Sequence, residues 1–291
     1  MKLFVTGATG FIGQSFCRIA AERGHQVLGL SRNVHRPSQD SCELIEGSLD
    51  KVPWGKVRAF SPDALVHLAW LVKPGTVNSP ENEALMAQSA KLFEAAVGAG
   101  VSHIAGTGTC IEYAPSSDRL DEETSPLGPE TAYSRAKLAT LGHLKRLAST
   151  VHISWSWYRI FYVYGAGEHP DRLSASILQR LSQRHDVVLR TPQSVKDYIH
   201  VDDVASAMIW GLERNLNGPI NIGSGEGIRI VDFARAAAAV LGIEADHIKD
   251  SQPPAVDPFP VTVADISKLR ASGWEPQVTL QQGLRGMAAL L

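Results

Sequence analysis

An excess of charge of either sign is missing from this sequence: 28 Lys and Arg stand against 30 Asp and Glu, a formal net charge of −2 over 291 residues. Without a block of like charges there is no electrostatic footprint for DNA, RNA or an anionic membrane, so neither nucleic acid nor membrane is expected as a partner. Cysteine is scarce too. Cys17, Cys42 and Cys110 are odd in number and far apart, and offer no disulfide framework. No segment approaches the roughly 18 uninterrupted apolar residues that a membrane span needs. The ten histidines include no pair spaced to share one helical face, so no metal site is expected. There is no Gly-x-Ser-x-Gly elbow, no phosphate loop ending in Gly-Lys-Ser/Thr, and no internal repeat. The chain enters Leu3-Phe4-Val5 at once and breaks at Gly7, which leaves no room for a signal peptide. A cytoplasmic enzyme or binding protein is the expectation.

What the sequence does contain is an alternation. Lys2 to Thr6, Gln26 to Leu30, Ala64 to Leu68 and Val101 to Gly106 are short apolar runs bounded by Gly, Asp or Ser, and predict buried strands. Between them, Phe11 to Arg23 and Glu81 to Gly98 predict helices, the second opened by Ser79-Pro80. Thr131 to Leu147, Val204 to Arg214 and Val231 to Leu241 predict further helices, and Val151 to Phe161 a strand. Strand and helix in strict alternation imply crossover units, hence an α/β fold with a parallel sheet covered on both faces.

Gly7, Gly10 and Gly13 lie between the first strand and the first helix, in Thr6-Gly7-Ala8-Thr9-Gly10-Phe11-Ile12-Gly13. Glycines there permit a tight turn, close approach of backbone to a pyrophosphate, and close packing of helix on strand, while the helix N-terminus faces the phosphates. Gly7, Thr9, Gly10, Phe11, Ile12 and Gly13 are therefore candidate cofactor contacts. At the end of the second strand an acidic residue would hold the adenosine ribose of NAD(H). Here the strand ends in Ser31-Arg32, and Arg32, with help from Arg36, can pair with a 2′-phosphate. NADP(H) is favoured and NAD(H) is the alternative. Tyr133 and Lys137 lie four apart on a predicted helix and so share a face. A free tyrosine titrates near 10, and an adjacent ammonium favours its phenolate, which suits it to acid/base work.

This glycine spacing, with the Tyr-x-x-x-Lys pair, resembles the extended branch of the short-chain dehydrogenase/reductase superfamily. The likeness continues through Trp157 to Gly165, Lys196-Asp197-Tyr198-Ile199-His200-Val201-Asp202-Asp203, Asn221-Ile222-Gly223-Ser224-Gly225 and Gly273-Trp274-Glu275-Pro276. It covers nearly the whole chain, which is similar to the nucleotide-sugar epimerase/dehydratase/reductase family. The resemblance implies a Rossmann-type doubly wound parallel sheet with a smaller C-terminal α/β substrate lobe. Residues 1–164 plus about 197–225 would form the NAD(P)-binding domain, and about 165–196 plus 226–291 the substrate lobe.

The resemblance also implies roles. Tyr133 would transfer the proton, Lys137 would lower its pKa and bond the nicotinamide ribose, and Thr109 would bond the substrate oxygen. Thr107 takes the place of Thr109 if the alignment on Tyr113 is shifted. Ser48 and Leu49 would lie near the adenine, Leu68-Ala69-Trp70 along the cofactor ribose, and Phe161 beside the cofactor. Ser48 stands where the family has Asp. Sugar dehydratases carry an acidic pair where this chain has Cys110 and Ile111, so dehydration is not expected. The expected reaction is reduction of a 4-keto group on a nucleotide-linked deoxysugar. The alternatives are an NAD-dependent epimerase and a non-catalytic NADP sensor. Glu112 is expected as an exposed loop acid. Tyr162 and Lys196 replace the family's sugar-binding Asn and diphosphate-binding Arg, and Arg172, Arg180 or Arg190 could serve the diphosphate instead. A homodimer is a further expectation from the family.

Overall fold

A computed structural model describes residues 1–34, 42–253 and 255–291. In chain order its elements are β1 (Lys2–Thr6), α1 (Phe11–Glu22), β2 (Gln26–Ser31), β3 (Glu43–Glu46), α2 (Trp54–Phe60), β4 (Ala64–His67), α3 (Glu81–Gly98), β5 (His103–Thr109), α4 (Ala132–Val151) and β6 (Ser154–Ile160). Then follow β7 (Tyr162–Tyr164), α5 (Leu173–Ser182), β8 (Val187–Leu189), β9 (Val195–His200), α6 (Val201–Glu213) and β10 (Gly218–Ile222). The C-terminal elements are β11 (Gly227–Arg229), α7 (Ile230–Leu241), β12 (Ile248–Asp250), β13 (Val261–Thr262), α8 (Ser267–Ala271) and α9 (Leu280–Ala288). No helix among the described residues is long and apolar enough to cross a membrane.

The main sheet has the order β10-β6-β5-β4-β1-β2-β3. β1 pairs in parallel with β2 on one side and β4 on the other, and β2–β3 and β4–β5 continue in parallel. The strand order therefore reverses at β1, the switch point beside which doubly wound sheets bind ligands, at the carboxyl ends of the strands. Thr6, Ser31, His67 and Thr109 are those ends. The strands read as continuous apolar runs because both faces are covered. Phe4, Leu28, Leu65, Ile104 and Trp157 meet Leu92, Phe93, Leu141 and Leu144 of the helices in one core. β5 runs three residues past the expected stop at Gly106. The glycines do not break it: a Cβ on Gly106 or Gly108 would collide with Trp157, so they are the price of laying an indole against the strand. α4 also outruns its expected end and closes at His152, which adopts a left-handed φ of 56°.

The chain divides into two compact units. The first comprises Met1–Glu112, Pro129–Arg159 and Ala205–Ile220, the second Tyr113–Gly128, Ile160–Val204 and Asn221–Leu291. This cut differs from the expected boundaries chiefly in giving Tyr113–Gly128 to the second unit. That segment is tied there by the Tyr113 hydroxyl donating to Asn221 Oδ1 at 2.7 Å and by bridges of Ser116 to Val261 and Leu120 to Ala264. In the second unit β9 is central, paired with β7, β11 and β13, and a separate core joins Tyr164, Leu178, Leu181, Phe233, Ala237 and Leu284.

Asp197 on β9 is fully buried and accepts from the amides of Ser224, Gly225 and Ala264 and from the Ser224 hydroxyl, at 2.7–3.1 Å. Removing it orphans two buried amides, those of Gly225 and Ala264, each costing about 1–3 kcal/mol, besides the half-buried amide and hydroxyl of Ser224. Asp197→Ala should lower stability by about 3 kcal/mol or more, read as a fall in chemical-denaturation midpoint with unchanged slope.

Candidate active site

Gly7 adopts a φ of +73°, and a Cβ there would press on the backbone of Leu68 and Ala69 at the end of β4. A Cβ on Gly13 would overlap the Gly7 carbonyl oxygen, so the helix can sit this close to the loop only without one. Gly10 closes the turn, its amide donating to Gly7 O at 2.9 Å. α1 then opens at Gly10 with neither a side-chain cap nor an acid in its first turn. An uncapped, uncompensated helix N-terminus behind a close backbone cradle suits a dinucleotide pyrophosphate. Thr9, Phe11 and Ile12 are half-buried around it.

The end of β2 carries no carboxylate. Ser31 is buried and its hydroxyl donates to Asn33 O at 2.8 Å, bending the chain back, while Arg32 is exposed. Arg36 lies outside the described residues. Ser48 donates to Asp50 Oδ1 at 2.7 Å inside its own turn, and Leu49 packs on the core. Trp70 is fixed by its indole N–H donating to Asn82 Oδ1 at 2.9 Å.

Lys137 is a buried cation on α4. It is only 2% exposed, its ammonium donates to the Thr107 carbonyl at 2.7 Å, and it lies 3.8 Å from the centre of the Trp70 ring. Tyr133, one turn earlier on α4, packs edge-on against Trp70 at 6.2 Å, and its ring centre is 5.8 Å from the ammonium. The sequence-predicted pair therefore shares one face, as the i, i+4 spacing requires. Thr107 is the threonine that touches Lys137, its hydroxyl donating to His67 O at 3.0 Å. Thr109, two residues on, points by strand alternation to the same side. Burial pulls the Lys137 ammonium down to about 7, opposed by the negative charge of Glu112. Burial, and then the Lys137 charge, pull His67 down to about 3, so His67 is a neutral link between Thr6 and Ser89.

Glu112 is not the exposed loop acid expected. It is fully buried, with Oε2 accepting from Arg159 Nε at 2.9 Å and Oε1 from the Trp157 indole at 3.1 Å and the Thr109 amide at 3.0 Å. A charge can be buried there because Arg159 neutralises it and three donors replace its water. An arginine inside the apolar run Trp157-Tyr158-Arg159-Ile160 was the available signal that a buried anion must lie nearby.

In the second unit Lys196 is buried and paired to Asp257 at 2.9 Å, and it also donates to the Phe259 carbonyl. Its ammonium lies 5.4 Å from the centre of the Tyr162 ring, which tilts against Tyr198 at 6.0 Å. The Tyr198 hydroxyl is buried and has no hydrogen-bond partner among the described residues. Glu168, which the sequence did not single out, accepts from Ser174 and is pushed up to about 7 by burial, against the pull of Ser174 and Arg172. Arg172 is half-buried at the start of α5, Arg180 and Arg190 are exposed, and Phe161 is buried with its amide donating to Ile222 O at 3.0 Å.

The family model of the NAD-dependent epimerase/dehydratase family matches residues 3–223, spanning the glycine cradle, Thr109, Tyr133 and Lys137. The chain belongs to that family. It is 26% identical to UDP-glucose 4-epimerase of Mycolicibacterium smegmatis over 98% of this chain and 96% of that protein. It is 25% identical to 3-diazoavenalumate denitrifying reductase of a Streptomyces species, over 83% of this chain and 82% of the relative. Its structure is similar to that of Thermus thermophilus UDP-glucose 4-epimerase in complex with NAD, with a TM-score of 0.86, 26% identity, and coverage of 99% and 98% of the two chains. The protein is an NAD(P)-dependent enzyme of nucleotide-sugar epimerase/dehydratase type, with the parallel Rossmann-like sheet expected from the sequence.

Burying Lys137 costs stability. Between pH 7 and its unfolded value of 10.5 the unfolded chain holds a proton that the folded chain has released, so this residue makes stability rise with pH across that window. Lys137→Met should abolish turnover yet raise the melting temperature at pH 7 by about 2 °C or more. The variant should also lose the wild-type gain in stability between pH 7 and 10, measured by denaturation at a series of pH values.

Proposed function

We propose that this enzyme is an NADP(H)-dependent reductase of a 4-keto group on a nucleotide-linked sugar. The observation that carries the reading is the end of β2, where buried Ser31 and exposed Arg32 stand in place of a ribose-binding carboxylate. An Arg there favours a 2′-phosphate, and a carboxylate that would repel one is absent from that position. An enzyme that must exchange its cofactor each turnover has use for NADPH. The Streptomyces relative, named as a reductase, supports the same direction. Dehydration is disfavoured because Cys110, which is buried, and Ile111 offer no acid and base for elimination.

The glycine cradle and the free N-terminus of α1 would hold the pyrophosphate, Arg32 the 2′-phosphate, and Lys137 the nicotinamide ribose. The bound dinucleotide supplies the hydride. Tyr133 donates its phenolic proton to the substrate oxygen, and the Lys137 ammonium stabilises the phenolate left behind. Thr109 steers that oxygen, with Thr107 bracing Lys137. Tyr162, Arg172 and Lys196 of the second unit are the proposed substrate contacts, Lys196 being paired to Asp257. A second reading, an NAD-dependent 4-epimerase, is favoured by the M. smegmatis and T. thermophilus likenesses.

Initial rates with NADPH and a 4-keto-6-deoxy sugar nucleotide decide between them. NADPH should be consumed stoichiometrically, and Tyr133→Phe should lower kcat by at least about 100-fold. Arg32→Ala should raise the KM for NADPH about tenfold and leave that for NADH unchanged. Interconversion of UDP-sugar epimers without consumption of NADPH would overturn the reductase reading and establish the second.

A further inference from the structure

We propose that Glu112 is a positioning residue of the hydride-transfer site, fixing the Thr109 amide and supporting the ammonium of Lys137 from inside the fold. The inference rests on the assignment of Thr109, Tyr133 and Lys137 to the active site. Three observations carry it. First, Oε1 of the carboxylate accepts the Thr109 amide at 3.0 Å, holding the end of β5 that carries the Thr109 hydroxyl. Second, Glu112 and Lys137 grip the same end of β5, the ammonium donating to the Thr107 carbonyl at 2.7 Å and the carboxylate accepting the Thr109 amide two residues on, and the negative charge of Glu112 opposes the downward pull of burial on Lys137. Third, the chain has been shaped around this carboxylate. A Cβ at Gly108 would collide with both Glu112 Oε1 and Trp157 Nε1, so glycine at the penultimate position of β5 is what lets the acid turn under the strand.

A buried ion pair is a poor stability device, since well-packed apolar residues of equal volume often serve as well or better. Placing Glu112 and Arg159 beneath the catalytic face is better explained by what the pair does there. With water excluded, the field of Glu112 is felt by Lys137 far more than it would be in solvent. Among the described residues the charged or titratable groups around this cluster include Arg159 on β6, paired to Glu112, Lys137 with Tyr133 on α4, and His67 on β4, held neutral by burial and the Lys137 charge. Arg159 Nε donates to Oε2 and the Thr109 amide to Oε1, while the Trp157 indole lies within hydrogen-bond distance of both.

Glu112→Gln keeps the shape and an acceptor for Thr109 while deleting the charge. The titration of Lys137 is read directly on the full chain from the Nζ resonance in lysine-selective 15N NMR, assigned by its absence in Lys137→Met. In Glu112→Gln the midpoint should move down by at least one pH unit, and kcat should fall about tenfold or more while the KM for cofactor stays within about twofold. That change also takes from Arg159 the carboxylate it pairs with. Glu112→Gln/Arg159→Met therefore removes the whole pair, and it should fold and retain the lowered midpoint. A Lys137 midpoint equal to wild type in both variants, or unchanged kcat in Glu112→Gln, would overturn the proposal. If the wild-type protein turns over no nucleotide sugar, the reaction assigned to the site falls, while the Lys137 midpoint still decides whether Glu112 supports its charge.

Discussion

The ammonium of Lys137, shut away from water, is the charge around which the first unit is arranged. Such a group is tolerated only when the fold supplies what solvent no longer does. Here the supply is a carbonyl from β5, the faces of Trp70 and Tyr133, and the field of Glu112, itself held by Arg159, Trp157 and the Thr109 amide. The consequences spread outward through the sequence. Trp157 must lie against β5, so β5 carries glycine at positions 106 and 108, and Trp70 must be held, so Asn82 is buried at the start of α3.

A second constraint is the close approach of backbone to backbone where β1 turns into α1. Gly7 and Gly13 have no room for a side chain, and the helix that follows leaves its first amides uncapped. Each feature is a local cost: glycine loses entropy on folding and an uncapped helix end forgoes about 1 kcal/mol. A dinucleotide that accepts those amides offsets both. The cradle and Lys137 thus share one feature, a local cost accepted by the fold at residues proposed to meet the cofactor.

Much of this was legible in the sequence, for identifiable reasons. The parallel sheet could be read because buried strands are short, apolar and regularly alternated with helices. Gly7, Gly10 and Gly13 and the Tyr133-Lys137 pair could be singled out because their spacing is local, three residues per step in the turn and one helical turn on α4. What could not be read are pairings made across long separations. Lys196 looks like a free cation in sequence and is found on Asp257, 61 residues away. Glu112 looks like a loop acid because its partners, Trp157 and Arg159, arrive 45 and 47 residues later from β6. The division into units escaped for the same reason, since Tyr113–Gly128 is held by Asn221, Val261 and Ala264.

Calorimetric titration of the wild-type protein with NADPH and with NADH measures most directly whether the first unit is built for a 2′-phosphorylated dinucleotide. One dinucleotide should bind per chain, with NADPH at least about tenfold tighter than NADH, the equivalent of one charge-assisted contact at Arg32. Tighter binding of NADH, or no binding of either dinucleotide, would contradict it.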